Sequence, residues 1–392
     1  MFFIIALLGI TGLMCTDLFV PSLPAIAAIF HQTQSHAELT ISLFLMSFAI
    51  SQLFYGPLSD RIGRKMPMLI GVLIFTVGSL VCAMTSSFEV LCMGRIIQGI
   101  GVGGGLSLAR VIIRDCYQGT RLAVKSSQLA IMVSLTPAIA PFVGGILQSH
   151  FGFRSTFIFM LCYGLFLLCL VFFFKETIKE KNATLTVQKT IGHYVSLLKN
   201  ITFMRYVLIT GLGFSAIILS ANVMPFIIQT DLHLSATVNG EMLLLSAIGI
   251  SIGAFISSKV VHRYTPQKLI RIGLFALTLS GLCMVFSQYY VGTTLLCLVP
   301  LIFIIMMACG LIFPNALTAC FSQVSINIGI AGAVYGSVQM FTSMVINFIL
   351  NTIPHQGQTT MGLFYVIMGL CGLFLYYYQR RHHQRVALEV LS

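Results

Sequence analysis

Charge is what this sequence has least of. Only 8% of its 392 residues are Asp, Glu, Lys or Arg, where a soluble domain carries about 25% because its surface faces water. The length suits two or three soluble domains, yet so few charges leave no polar coat for any of them. Acids are the scarcest, ten against 22 Lys and Arg. Metal-ligand spacing is missing too: no Cys-x-x-Cys pair and no Cys/His cluster occurs, so neither a disulfide framework nor a metal site is expected. Cys15, Cys82, Cys162, Cys169, Cys297 and Cys371 lie in apolar runs and read as small apolar side chains. No catalytic dyad or soluble signalling domain is visible, which argues against an enzyme. The run of Gly101, Gly103, Gly104 and Gly105 lacks the Lys and Ser/Thr of a phosphate loop.

Apolar residues fill the space, making up 57% of the chain at a mean hydropathy of +0.97. Runs of about 20 residues, long enough to cross a bilayer as a helix, recur at 2–25, 39–58, 67–86, 88–112, 126–148, 155–175, 203–228, 240–260, 268–287, 291–318, 328–350 and 360–378. The first begins at Met1 with no basic segment and no cleavage site, so it reads as a retained span. Most spans are joined by short turns. The exception is 176–202, polar and basic through Lys179, Lys181, Lys189 and Lys199. It divides the chain into a bundle at 1–175 and another at 203–378, with a tail at 379–392. Pro24 to Arg61 resembles Pro225 to Arg263, each a proline-bearing helix end, a polar turn, an apolar helix and a basic loop. Parallel repeats of this kind build transporters. The expected fold is therefore all-α and transmembrane, with twelve helices in two six-helix bundles.

The net charge of +12 raises the question of nucleic acid, and its distribution answers it. The clusters Arg61/Arg64/Lys65, Arg114/Arg121/Lys125, Lys175 to Arg205, Lys259/Arg263/Lys268/Arg271 and Arg380/Arg381/Arg385 fall between alternate spans, with Arg154 the exception. That alternation is the positive-inside pattern. It needs no nucleic acid, makes the bilayer the partner, and places both termini in the cytoplasm.

Nine of the ten acids fall in loops or at membrane edges: Glu38, Asp60, Glu89, Asp115, Glu176, Glu180, Asp231, Glu241 and Glu389. Asp17 alone sits well inside a span. An ionised carboxylate there costs several kcal/mol unless paired, hydrated or protonated. Its protonated form is the cheaper one to bury, which suits a proton carrier. Pro21 and Pro24 should break the outer end of its helix, so a carboxylate kept in an aqueous vestibule is the other reading. Arg95 lies deep in a span beside Gln98, and Asp17 is its expected partner. The glycines that follow allow a neighbouring helix to approach closely.

Between spans two and three, Gly56 and Pro57 end a helix, Gly63 permits a tight turn, and Asp60, Arg61, Arg64 and Lys65 supply charge. Arg114 and Asp115 offer an opposing pair. This is either a latch that one conformation makes and another breaks, or an ordinary basic turn. Span five carries Pro137, Pro141, Gly144 and Gly145, fitting a hinge or a tight seal. Asn222, Gln339 and Asn347 either line a cavity or bond neighbouring helices.

Together these motifs resemble the major facilitator superfamily. Gly56 to Lys65 resembles its signature loop at every fixed position, and Arg95-x-x-Gln98-Gly99 its span-four motif. Ala140-Pro141-x-x-Gly144-Gly145 resembles the antiporter motif, with Ala140 where a glycine is usual. Asp17-x-x-x-Pro21-x-x-Pro24, Ala109-Arg110-x-x-x-Arg114-Asp115 and Pro137 look most like the Bcr/CflA group of twelve-helix drug:proton antiporters. These motifs all lie in the first half, and Ser257 to Thr265 has lost the glycine and aspartate of the corresponding loop. The resemblance implies a monomeric exporter of hydrophobic or amphiphilic small molecules in a bacterial inner membrane. It would be driven by the proton gradient without a cofactor. Asp17, Arg95 and Gln98 would serve coupling and substrate, Gly56, Asp60, Arg61, Gly63, Arg64, Arg114 and Asp115 the cytoplasmic gate, and the span-five motif the barrier to leak. The alternative is an exporter or symporter of a small metabolite on the same scaffold. With one intramembrane carboxylate, one group is expected to dominate coupling.

Overall fold

The computed structural model describes every residue except 179–186, 261–262, 323–327, 354–356 and 392. Lys179, Glu180 and Lys181 of the expected connector, and part of the Ser257 to Thr265 loop, lie outside the described residues. Among the described residues, twelve helical units are long and apolar enough to cross a membrane, and no strand occurs. Lipid offers no water to backbone N–H and C=O groups, so each segment must satisfy its own, and a helix does so.

The first unit is α1 (Phe2–Asp17), a 3₁₀ turn (Val20–Ser22) and α2 (Leu23–Ile29). Units two to six are α3 (Gln34–Ile62), α4 (Lys65–Met84), α5 (Phe88–Val102) with α6 (Gly105–Cys116), α7 (Gly119–Phe151) and α8 (Arg154–Phe172). The connector holds a short helix, α9 (Val187–Lys199), where the sequence suggested only a polar linker. Units seven to twelve are α10 (Ile201–Phe226, extended by a π turn at Ile227–Asp231), α11 (Ala236–Val260), α12 (Pro266–Tyr290), α13 (Leu295–Phe321), α14 (Ile328–Leu350) and α15 (Gln358–Leu391).

Two spans depart from continuous helix for local reasons. The first breaks where Pro21 and Pro24 withhold N–H donors, as anticipated. The fourth, expected to run through its glycines, is interrupted at Gly103 and Gly104 between α5 and α6. By contrast α7 passes through Pro137 and Pro141 without interruption.

Helices α1 to α8 pack among themselves, and so do α10 to α15. The two sets meet along α3 against α14, α7 against α11, and the broken end of the first unit against α10. One apolar cluster joins them, with Met14, Leu18, Phe44 and Phe48 from the first set and Phe214, Ile218, Phe226 and Met340 from the second.

Candidate functional site

Asp17 is the last residue of α1 and is 7% exposed. Its helical neighbours Met14 and Leu18 belong to the shared cluster, so it lies close to the seam between the halves. No hydrogen bond or ion pair reaches its carboxylate from the described residues.

Arg95 is fully buried on α5, but the expected ion pair with Asp17 is not formed. Its Nη1 donates to the Cys15 carbonyl at 3.2 Å and to Gln98 Oε1 at 2.8 Å. The guanidinium carbon stands 4.1 Å from the Phe19 ring centroid and 4.3 Å from that of Phe44. Gln98 in turn donates to Ser79 Oγ at 2.8 Å. The reason is helical geometry: at about 100° per residue, Cys15 and Asp17 point about 160° apart around the axis. A cation facing Cys15 therefore leaves Asp17 to face elsewhere. Arg95 is held by two π faces and neutral oxygens, while its Nε and Nη2 have no hydrogen-bond partner among the described residues.

A lysine cannot reproduce this planar, stacked contact. Arg95→Lys is expected to lower stability by about 2–4 kcal/mol, since a desolvated cation–π contact contributes about 2 kcal/mol. Thermal unfolding in detergent measures it, and an unchanged midpoint would show that the stack contributes little.

Around Arg95 the glycines serve close packing, as expected. A Cβ at Gly99 would overlap Ser47, and one at Gly101 would overlap the backbone of Phe75. Spans two, three and four thus approach nearly backbone to backbone.

At the basic-loop end, Arg64 is 5% exposed and is the hub of the signature loop. It forms an ion pair with Asp60, donates through Nε to Asp115 Oδ2 at 2.9 Å, and donates through Nη1 to Ser59 Oγ at 2.7 Å. Gly63 adopts φ 104°, the left-handed region that glycine allows without strain. Asp115 is therefore the partner from α6, while Arg61 and Arg114 are exposed and stand outside this network.

Glu176, which the sequence did not single out, completes the cluster. Its carboxylate accepts from the backbone N–H groups of Arg64 at 2.9 Å and Lys65 at 3.2 Å, at the start of α4. Burial raises its pKa, but the N–H groups of Arg64, Ile178, Lys65 and Thr177 outweigh that and hold the carboxyl below its ordinary value. A lowered folded-state pKa means that the stabilisation is complete above the unfolded value and disappears as pH falls through the folded one. Unfolding midpoints should show this acid-side loss only below the usual carboxylate range, and Glu176→Gln should lack it. A midpoint that already falls between pH 7 and 5 through this group would contradict the assignment.

The proline-glycine face of α7 lies against both halves. A Cβ at Gly144 would overlap the Leu18 carbonyl, next to Asp17, and one at Gly145 would come within 2.7 Å of the Ala236 carbonyl of α11. Pro141 is buried and Pro137 half-buried along the same helix. A Cβ at Gly56 would meet nothing within 4 Å, and its carbonyl accepts from the Ser59 hydroxyl at 2.8 Å. Of the other polar candidates, Asn222 and Asn347 bond each other.

Glu38 has a burial and partners that the sequence did not reveal. Expected in a loop or at a membrane edge, it is fully buried in the second turn of α3. It accepts from Gln34 Nε2 at 2.9 Å and, with the Asn351 amide turned to satisfy its neighbours, from Asn351 at 3.0 Å. It therefore links the two halves at the end opposite the basic loops. The missed signal was Thr33, whose side chain caps α3 by accepting from the His36 N–H.

Known proteins agree with this architecture. The chain is 27% identical to Multidrug resistance protein D of Escherichia coli over 93% of its length and 92% of the relative's. It is 29% identical to Multidrug resistance protein MdtL of Klebsiella pneumoniae over 68% of each. Among solved structures, a POT family transporter in complex with 5-aminolevulinic acid superposes with a TM-score of 0.79 at 13% identity, covering 98% of this chain and 96% of that one. A D-xylose-proton symporter gives 0.74 at 16%, covering 95% and 96%. At such identities these two speak for the fold alone. Residues 3–347 match the sequence model of the Major Facilitator Superfamily, and the chain belongs to that family of membrane transporters.

Proposed function

We propose that this protein is a proton-coupled exporter of hydrophobic or amphiphilic small molecules, working by alternating access as a drug:proton antiporter. The observation that carries the reading is Asp17, a buried carboxylate with no protein partner among the described residues, at a proline-broken helix end beside the seam between the halves. Such a group is expensive in lipid and marks an ion or substrate path. A proton bound on its carboxylate oxygen removes the charge, and release of that proton restores a site for cargo. The relatives named multidrug resistance proteins support the cargo class. The Asp60–Arg64–Asp115 network would latch the basic-loop end, and the α7 face would seal the opposite one. By the positive-inside rule the basic-loop end faces the cytoplasm of a bacterial inner membrane. The protein works as a monomer with no cofactor beyond the proton gradient.

The test is proton release from purified protein as lipophilic drugs are added, with tolerance to the same panel in an expressing host. Wild type should release protons and Asp17→Asn should not. Undiminished release from the variant would move the carrier elsewhere, and unchanged tolerance across the panel would favour a metabolite as cargo.

A further inference from the structure

Pro57 lies inside α3 and has no N–H, so the carbonyl four residues earlier, that of Leu53, loses its helical donor. The connector supplies a replacement. The Tyr194 hydroxyl on α9 donates to the Leu53 carbonyl at 2.9 Å. The ring of the same residue packs with Leu197 against the core of the other half, which includes Phe203, Tyr206 and Tyr335. Helix α9 itself lies on α10 and α14. Burial, and after it the charge of Asp60, push the Tyr194 hydroxyl up to about 12, so it remains a donor throughout the physiological range. One side chain is thus anchored by its ring in the second half and by its hydroxyl in the first.

We infer that Tyr194 is a positioning residue for alternating access: it clasps the two halves at the basic-loop end by donating to the carbonyl that Pro57 leaves unpaired, and it must release before that end opens. The inference rests on the alternating-access reading above. It also gives the connector a task beyond joining two bundles, because α3 and α14 form one of the seams that must part. Tyr194 is outside the signature loop, yet it acts on the same helix end that the loop terminates.

Hydrogen exchange of the full-length protein in lipid nanodiscs tests this without any cargo. Tyr194→Phe keeps the ring and removes only the donor. Exchange in α14 between Ala331 and Val338 should quicken by about fivefold, the population shift that one net hydrogen bond supports. Pro57→Ala returns a helical N–H to the Leu53 carbonyl, which then competes with the Tyr194 hydroxyl and weakens its bond. It should produce a similar change, and adding Tyr194→Phe to it should produce no more. The clasp is overturned by unchanged exchange in α14, by faster exchange confined to α9, or by effects that multiply in the double variant. Because no transport is measured, such a failure leaves proton-coupled export standing. Conversely, undiminished proton release from Asp17→Asn overturns that coupling assignment and leaves the clasp untouched.

Discussion

Asp17→Asn is expected to abolish the proposed proton-driven export while leaving the protein at least as stable as wild type. The two effects have one cause. The carboxylate is buried, and no cation or donor among the described residues compensates it, so the folded state carries its desolvation cost. Asparagine has nearly the same shape without the charge, and the substitution should raise the melting temperature by about 1–3 °C. The same change removes the carboxylate proposed to take and release the proton. Export driven by an imposed pH gradient in proteoliposomes should fall to the level of empty vesicles. Had Asp17 neutralised Arg95, the variant would strand a buried cation and lose about 3–5 kcal/mol. Arg95 instead faces Cys15, Gln98 and two phenylalanine rings. A sharp drop in melting temperature would therefore contradict the geometry, and surviving gradient-driven export would contradict the role.

Gly144→Ala should be nearly as damaging to transport, and for a steric reason. The added Cβ would overlap the backbone carbonyl of Leu18. A flexible side chain could move aside, but backbone at the broken end of the first span can yield only by shifting that end away from α7. Overpacking of this kind costs about 1–3 kcal/mol. Here the strain falls one residue from Asp17, so export should be lost together with stability. Gly192→Ala on α9 is the control, since a Cβ there meets nothing within 4 Å and alanine favours helix. Equal melting temperatures and export rates for the two alanine variants would show that the α7 contact is loose.

Legibility in the sequence followed the range of the physics. Twelve spans could be read because hydropathy and backbone satisfaction act within a segment. The break at Pro21 and Pro24 and the turn at Gly63 could be read because a missing N–H and a missing Cβ act on their own residue. Glu38 could have been read as well, had Thr33 been taken as the helix cap that it is. The partners of Arg95 could not: with Asp17 as the one carboxylate placed in a span, charge pairing pointed to it, whereas the rotation of α1 turned Cys15 and Phe19 towards the guanidinium. Glu176 was equally hidden, since its partners are main-chain N–H groups that begin a different helix.

Local chemistry was enough to say what each segment must be: a membrane helix, a basic turn, a proline break, a costly acid in an apolar run. Those outcomes depend on interactions within about one helical turn and with the solvent. Which side chains meet was settled by how the helices pack. That packing put Arg95 between two aromatic faces, Asp115 and Asp60 on one arginine, Gly144 against Leu18, and the Tyr194 hydroxyl on the carbonyl that Pro57 vacates. Such contacts depend on helix rotation and register, which are set by the packing of many apolar side chains at once and are written at no single position.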